Sequence, residues 1–338
     1  MSQPRVSAVV LAWQAEPWLP RAVDALLESK GVEVDVVLVD NGCTTDDVTH
    51  LEGRPGVTVV RPGENTGFAG GCNLGASHAT GDYLALVNSD CVVEPDALAR
   101  LVEVVDRPGV GVTVGSVRLS EDPSLVNAGA NPIHVLGLSW SGGFRQPETR
   151  TEPYATLGGT GACMLTTAAH WRRLDGFDEA YFAYHEDAEL SVRTWRLGER
   201  VMVVPDAVAV HRYEFSRNAY KLYLIERNRL MFLATLWSGR ALLLLSPALA
   251  ALELAMLALG LKQGWAEEKV RGWSWLWQHR SHLRKRRRQL KAERTVPNRQ
   301  WMAMLTPTLE PAAMELPPGT GVLNLVMRAY WATIRRLV

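Results

Sequence analysis

The chain has 338 residues, of which 47% are hydrophobic and 21% charged, with four cysteines. That composition excludes a disulfide-stapled miniprotein and a globally disordered chain, and the length suits two domains or one large domain with an appendage. The zero net charge hides an asymmetry: residues 1–210 carry 15 Lys and Arg against 28 Asp and Glu, and residues 211–338 carry 21 against 8.

The acidic half reads as alternating strands and helices. A short β-branched run over 6–12 predicts a buried strand, followed by a helix over 20–29 with Val23, Leu26 and Leu27 on one face. Residues 34–40 predict a second strand that ends on an acid, and the pattern repeats at 57–61 (strand), 66–79 (helix), 83–88 (strand) and 95–105 (helix). Such alternation implies an α/β fold with a mostly parallel sheet flanked by helices. Ligands of these sheets bind outside the carboxyl ends of the strands, which draws attention to Asp40-Asn41-Gly42, Asn65-Thr66-Gly67 and Asn88-Ser89-Asp90. The stretch 120–153, rich in Gly, Pro, Ser and Asn, reads as a mobile loop able to fold over an acceptor. Cys43, Cys72, Cys91 and Cys163 form no CxxC pair and read as reduced and structural. The first residues lack a basic n-region and a long apolar h-region, so the acidic half is expected in the cytosol.

After His211 the composition changes. A basic, aromatic helix is expected over 217–236, then residues 241–261 form an apolar segment whose one charge is Glu253. Trp265, Trp273, Trp275 and Trp277 follow, then the basic run 279–288, a combination suited to an anionic membrane surface. Basic residues on both sides of the apolar segment disfavour a single span, and Pro247 and Glu253 within it suit a shallow or re-entrant helix, so monotopic attachment at the cytoplasmic face of the membrane is expected. A buried helix of a helical subdomain or dimer interface is the alternative, and a homo-oligomer stays open.

No GxGxxG occurs and no lysine follows a glycine, which disfavours a dinucleotide-binding dehydrogenase and a P-loop ATPase. Acids and amides at strand ends suit instead a nucleotide's base and ribose, with a divalent cation on its phosphates. The run 279–288 could neutralise nucleic-acid phosphates, but nothing else in the chain supports such a partner.

Residues 36–42 (VVLVDNG), 65–75 (NTGFAGGCNLG), 88–90 (NSD) and 185–190 (HEDAEL) occur in an order that resembles family 2 glycosyltransferases of the GT-A fold. Glu214–Asn218 and Glu226–Arg229 are similar to the bacterial rhamnosyltransferase-like members. The resemblance covers residues 5–235 and implies a GT-A catalytic domain over 1–215, with a helical, apolar and basic membrane-association region over 216–338. It implies a nucleotide-sugar donor held through Ala12, Asp40, Asn41, Asn65, Gly67, Asn73, Asn88 and Ser89, with Asp40 on the nucleobase. It also implies donor-sugar and acceptor contacts at Gly159, Thr160, Gly161 and His185. Asn88-Ser89-Asp90 occupies the family's Asp-x-Asp position, leaving Asp90 as the main charged ligand for Mg2+ or Mn2+, and His211 resembles a histidine that completes the metal site in some relatives. Asp187 is then the base that takes the acceptor hydroxyl's proton, with Glu186 beside it, and a single base opposite the leaving diphosphate implies inversion. The implied acceptor is a glycan or a polyprenyl-linked glycan of the cell envelope, with rhamnose as the preferred sugar. Transfer to polyprenyl phosphate itself, or a noncatalytic scaffold role, are the alternatives.

Overall fold

A computed structural model describes residues 3–212, 218–312, 316 and 318–338. It divides into two compact units, Met1–Asn131 with Ser141–Glu214, and Pro132–Trp140 with Phe215–Val338.

The first unit contains strands β1 (Arg5–Gln14), β2 (Glu33–Cys43), β3 (Val57–Val60), β4 (Tyr83–Val87), β5 (Cys91–Val93), β6 (Val110–Leu119), β7 (Val126–Ala128), β8 (Ala130–Asn131), β9 (Tyr154–Thr156), β10 (Gly158–Gly159), β11 (Cys163–Thr167) and β12 (Arg200–His211). Its helices are α1 (Leu19–Leu27), α2 (Gly67–His78), α3 (Ala97–Val105), α4 (Ala168–Leu174) and α5 (Glu186–Arg196). The main sheet runs β3-β2-β1-β4-β11-β6-β12-β5, with β7 on β6 and β9 on β12, while β8 and β10 pair separately.

Val36, Val37, Leu38 and Val39 are all buried, as expected for a strand covered on both faces. Val6, Ala8 and Val10 of β1 point into one apolar cluster with Leu19, Val23 and Leu26 of α1 and Leu98 and Leu101 of α3. Val9 points the other way, into a cluster with Val37, Ala69 and Cys72 of α2, Trp171 and Leu190. This period-two division puts helices on both faces of the sheet.

The sheet is mixed. β1, β2, β3 and β4 are mutually parallel, as expected, but β11 enters between β4 and β6 antiparallel to both. A parallel return requires a crossover long enough to pass over the sheet, usually a helix, and residues 120–162 form none. That stretch is also more ordered than a mobile loop: β7 pairs with β6, β8 with β10, and residues 132–140 group with the second unit.

The glycines of α2 serve packing. A Cβ on Gly75 would lie 2.4 Å from Val9 Cγ1, and one on Gly71 2.5 Å from Leu11 Cδ2, so the helix lies closer to β1 than side chains would allow. Gly67 opens the helix at φ +72°, where a Cβ would lie 2.4 Å from the Phe182 carbonyl oxygen.

In the second unit are α6 (Ala219–Leu236), α7 (Gly239–Gln263), α8 (Ala266–Gln278), α9 (Arg280–Glu293), α10 (Asn298–Met302) and α11 (Thr320–Ile334). Arg217 and most of the 214–218 motif lie outside the described residues. Asn218 caps α6 by accepting from Lys221 N–H at 2.7 Å, and Ser238 caps α7 by accepting from Ala241 N–H at 3.0 Å. Gly264, at φ +81°, ends α7. Trp237 packs edge-on against both Phe232 and Trp301, each at 5.1 Å between ring centroids.

Three of the four tryptophans expected at a membrane interface are used inside this unit. Trp265 is buried, Trp273 donates to Glu253 Oε2 at 2.7 Å, and Trp275 stacks on His279 at 4.0 Å with the Arg227 guanidinium over its ring. Trp277 is exposed. Glu253 makes ion pairs with Arg229 and Lys269, and Glu226 pairs with the same two cations.

Gly75→Ala should destabilise the first unit by about 1–3 kcal/mol, the overpacking outweighing the gain in helix propensity. Urea unfolding of the parent and variant checks this, and an unchanged midpoint would show that α2 can shift away from β1.

Candidate active site

The carboxyl ends of β4, β10 and β12 meet the N-terminus of α5 through a chain of hydrogen bonds. Asn88, just past β4, donates its backbone N–H to the Ala162 carbonyl at 3.1 Å. The adjacent Gly161 donates its N–H to Asp187 Oδ2 at 3.1 Å, and Gly159 donates to Ser191 Oγ at 3.1 Å. Ser191 Oγ in turn donates to the Asp187 carbonyl at 2.7 Å, so the glycine-rich turn is held twice to the first turns of α5. Side chains would not fit there: a Cβ on Gly159 would lie 2.7 Å from Val114 Cγ1. Thr160 turns its hydroxyl back to accept from Ala162 N–H at 3.3 Å.

Asp187 Oδ1 also accepts from the Ala188 N–H at 2.7 Å. Burial raises the Asp187 carboxyl above the usual aspartate value, partly offset by the N–H groups of Gly161 and Ala188. The neighbouring Glu186 is more deeply buried, its Oε2 has no hydrogen-bond partner among the described residues, and burial, reinforced by the Asp187 charge, pushes its carboxyl well above the usual glutamate value against the opposing pull of its own N–H. Both shifts run upward, and Glu186, on which the Asp187 charge acts in addition to burial, is the harder of the two to ionise. The backbone leading into this turn is strained, with Phe182 at φ +63°, Tyr184 at φ +71° and His185 at φ +73°. His185 is the residue preceding the first turn of α5, and its carbonyl accepts from Glu189 N–H at 2.8 Å.

On the other side of Asn88, β12 brings His211 opposite Cys91 in the register with β5. His211 Nε2 lies 3.0 Å from Asp90 Oδ1 and 3.4 Å from Asn88 Nδ2, and its Nδ1 lies 2.9 Å from Asn127 Oδ1 on β7. Because Asn127 Oδ1 can only accept, Nδ1 carries a proton and Nε2 is the nitrogen turned toward the carboxylate. Asn127 lies in the stretch read as a loop, and only the β6–β7 pairing places it here.

The residues expected at the nucleotide occupy the β1–β2 end of the sheet. Ala12 faces its register partner Asp40, and its methyl group is wholly buried, so its backbone is what it can present. Asp40 Oδ1 accepts from Cys43 N–H at 3.0 Å and its Oδ2 lies 3.3 Å from Arg61 Nε. Asn41 is buried and its amide is spent on structure: Oδ1 accepts from the Thr66 N–H and hydroxyl at 2.9 Å each, and Nδ2 donates to Asn65 Oδ1 and the Gly67 carbonyl at 3.1 Å each. Asn65 Oδ1 additionally accepts from Gly67 N–H at 2.9 Å. Asn73 faces away from this corner, donating to the Phe177 carbonyl at 3.0 Å and accepting from its N–H at 2.9 Å, and so it anchors the segment that leads to the strained turn.

Glu16 is a functional candidate that the motifs of the sequence do not include. It sits in a cleft lined by Ala15, Pro17, Trp18, Asp90 and Arg212. Burial raises its carboxyl to about 7; a hydrogen bond with Ser89 opposes the shift and the Asp90 charge adds to it. The signal available in the sequence was its position directly beyond β1, at the ligand-binding end of the sheet.

Residues 7–172 match the family model described as Glycosyl transferase family 2. The chain is 33% identical over 34% of its length to the succinoglycan biosynthesis protein ExoO of Rhizobium meliloti, of which it spans about a third (33%). It is 28% identical over 68% of its length, and 84% of the relative's, to the N-acetylglucosaminyl-diphospho-decaprenol L-rhamnosyltransferase of Mycobacterium tuberculosis. Among solved structures, GalNAc-T7 with UDP, GalNAc and Mn2+ superposes with a TM-score of 0.58 at 18% identity, over 70% of this chain and 49% of that one. With its sheet, strand-end turns and sequence in agreement, the chain belongs to the family 2 glycosyltransferases and carries their GT-A fold.

Proposed function

We propose that the chain is an inverting, divalent-metal-dependent glycosyltransferase that moves a sugar, rhamnose by preference, from a nucleotide-sugar donor to a polyprenyl-linked glycan during cell-envelope polysaccharide assembly. The observation that carries the reading is the glycine-rich turn that bonds at both ends: Gly161 donates its N–H to Asp187 on α5, and Ala162 accepts from the Asn88 N–H. A base thus stands one turn away from the strand end that carries Asp90 and His211.

The residues present fit a hard cation. Asp90 Oδ1 and His211 Nε2 converge at 3.0 Å with the imidazole oriented by Asn127, an outer partner of the kind that fixes ligand histidines. Among the described residues no group of three or more His, Cys, Asp and Glu side chains gathers. Two protein ligands suit Mg2+ or Mn2+ shared with a donor diphosphate and water. When bound, the ion neutralises the leaving diphosphate. Asp187 accepts the proton of the attacking acceptor hydroxyl, and its raised basicity suits that task near neutral pH. Glu186, buried and the harder of the two carboxyls to ionise, limits the build-up of a second negative charge beside Asp187. The Asp40, Asn65 and Gly67 corner holds the nucleoside.

The sugar and acceptor assignments draw on the mycobacterial relative, whose name specifies rhamnosyl transfer to a decaprenol-linked acceptor. Attachment at the cytoplasmic face of a membrane would bring the chain to the surface on which such an acceptor is carried.

Nucleotide release from dTDP-rhamnose, UDP-galactose, UDP-glucose, UDP-N-acetylglucosamine and GDP-mannose, with a lipid extract as acceptor, tests the reading. Release from one donor that requires Mg2+ or Mn2+ is expected. Asp187→Asn should lower kcat by about 100-fold or more while sparing donor binding, and full turnover by this variant would overturn the assignment of the base. Because the base works deprotonated and its carboxyl is raised, kcat should fall on acidification at a higher pH than an ordinary aspartate would dictate, a limb visible in a pH–rate profile. Asn127→Leu should weaken the apparent Mn2+ affinity about 10-fold or more, read from the metal dependence of release, with a smaller effect at saturating metal.

A further inference from the structure

The second unit carries apolar surface on helices whose opposite faces are already satisfied. On α7, Leu243, Pro247, Ala250, Leu254, Ala258 and Leu261 are exposed at spacings of three and four residues, forming one stripe along a helix about 37 Å long. Only 6% of the most apolar window of this helix is buried. The other face of α7 carries Glu253, near its middle, with Oε2 2.8 Å from Lys269 Nζ and Oε1 paired with Arg229. Arg229, Lys269 and Glu226 are buried, so two cations and two anions close a balanced cluster behind the stripe. The acid that interrupts the apolar segment in sequence is therefore absent from its exposed face.

α11 repeats the arrangement. Met327, Trp331 and Ile334 are buried on one face, whereas Val322, Leu325 and Val326 are exposed on the other, where a helix facing water would carry polar residues. Tyr330 donates its hydroxyl to the Leu244 carbonyl and ties α11 to α7. Arg287 of α9 donates to the Ala234 carbonyl in the last turn of α6, and the exposed side chains of α9 include Arg284, Lys285, Arg288 and Lys291.

We infer that α7 and α11 together form a monotopic docking face for an anionic bilayer, with both helices lying in the membrane plane and the basic face of α9 attracting the headgroups. Charge complementarity selects lipid as the occupant, because four exposed cations and two exposed apolar stripes carried by one helical unit match anionic headgroups above hydrocarbon. The charged cluster selects the orientation. If α7 crossed the bilayer, Arg229, Glu253, Lys269 and Glu226 would be carried to the depth of the hydrocarbon midplane, where ionised groups are costly, whereas a helix lying flat keeps them on the protein side. This surface deepens the polyprenyl-linked reading, on which its biological purpose rests; vesicle binding itself involves no catalysis.

Flotation of the full chain with phosphatidylcholine vesicles, with and without phosphatidylglycerol, tests the docking face. The parent should float, and more so with phosphatidylglycerol. Leu254→Glu, or Leu325→Glu with Val326→Glu, should each lower partitioning about tenfold with unchanged circular dichroism, since these side chains touch no core. Arg284→Glu with Lys285→Glu and Arg288→Glu should remove the preference for the anionic lipid. In a Cys43→Ser background, cysteines introduced as Arg240→Cys and Gln263→Cys should both react with an impermeant maleimide on vesicle-bound protein. Protection of one end would overturn the in-plane orientation, and parental flotation of the α11 variant would overturn that helix's part. Failure of the parent to bind any vesicle, with a dimer that Leu254→Glu converts to monomer, would assign the face to a second copy and overturn the proposal. A chain that floats but releases nucleotide from no donor would leave the docking face standing and remove the transferase reading, and the converse result would do the opposite.

Discussion

The 3.1 Å hydrogen bond from the Gly161 N–H to the Asp187 carboxylate joins two parts of the first unit that have no reason of their own to meet. Gly161 belongs to the turn between β10 and β11, and β11 is the strand inserted antiparallel between β4 and β6. Asp187 belongs to the first turn of α5, which packs on the opposite side of that turn through Ser191. Because Asn88 is bonded to the same turn, the position of the charged carboxylate relative to Asp90 and His211 follows from backbone geometry and owes little to flexible side chains. The N–H groups of Gly161 and Ala188 also oppose the upward shift that burial imposes on Asp187, whereas at Glu186 burial is reinforced by the Asp187 charge.

The same economy of charge shapes the second unit. Glu226, Arg229, Glu253 and Lys269 are drawn from three helices, and none would be tolerated alone at its degree of burial. Paired, they hold α6, α7 and α8 in one register and leave the outward face of α7 free of charge between Leu243 and Leu261. Trp273 is part of this arrangement through its bond to Glu253, which is why it is turned inward and Trp277 is left as the exposed tryptophan of the group.

Local pattern made much of this visible in advance. The first two strands, helices α1 to α3 and the polar turns after β2 and β4 were legible because parallel strands covered on both faces read as unbroken apolar runs, and because amphipathic helices repeat every three to four residues. The order of the motifs around Asp40, Asn88 and Asp187 was legible as well. The glycines at 71 and 75 bring α2 down onto Val9 and Leu11, a demand set by the opposing strand that spacing along the chain does not reveal. Asn73 and Asn41 have the chemistry of ligand-binding amides, and each also bonds groups of the surrounding fold, a choice that depends on what tertiary structure places within hydrogen-bond reach.

The amino-acid sequence alone determined the α/β class, the family motifs, the acidic and basic halves and the apolar length of α7, because each is a property of composition or of spacing along the chain. Tertiary structure decided the insertion of β11, the turning of His211 toward Asp90 by Asn127, the place of Glu16 beside Ser89, and the face of α7 on which Glu253 lies. Each of these depends on groups distant in sequence, such as Asn127 and His211 or Arg229 and Lys269, and a short-range pattern carries no information about which partner a folded chain will bring to a buried polar atom.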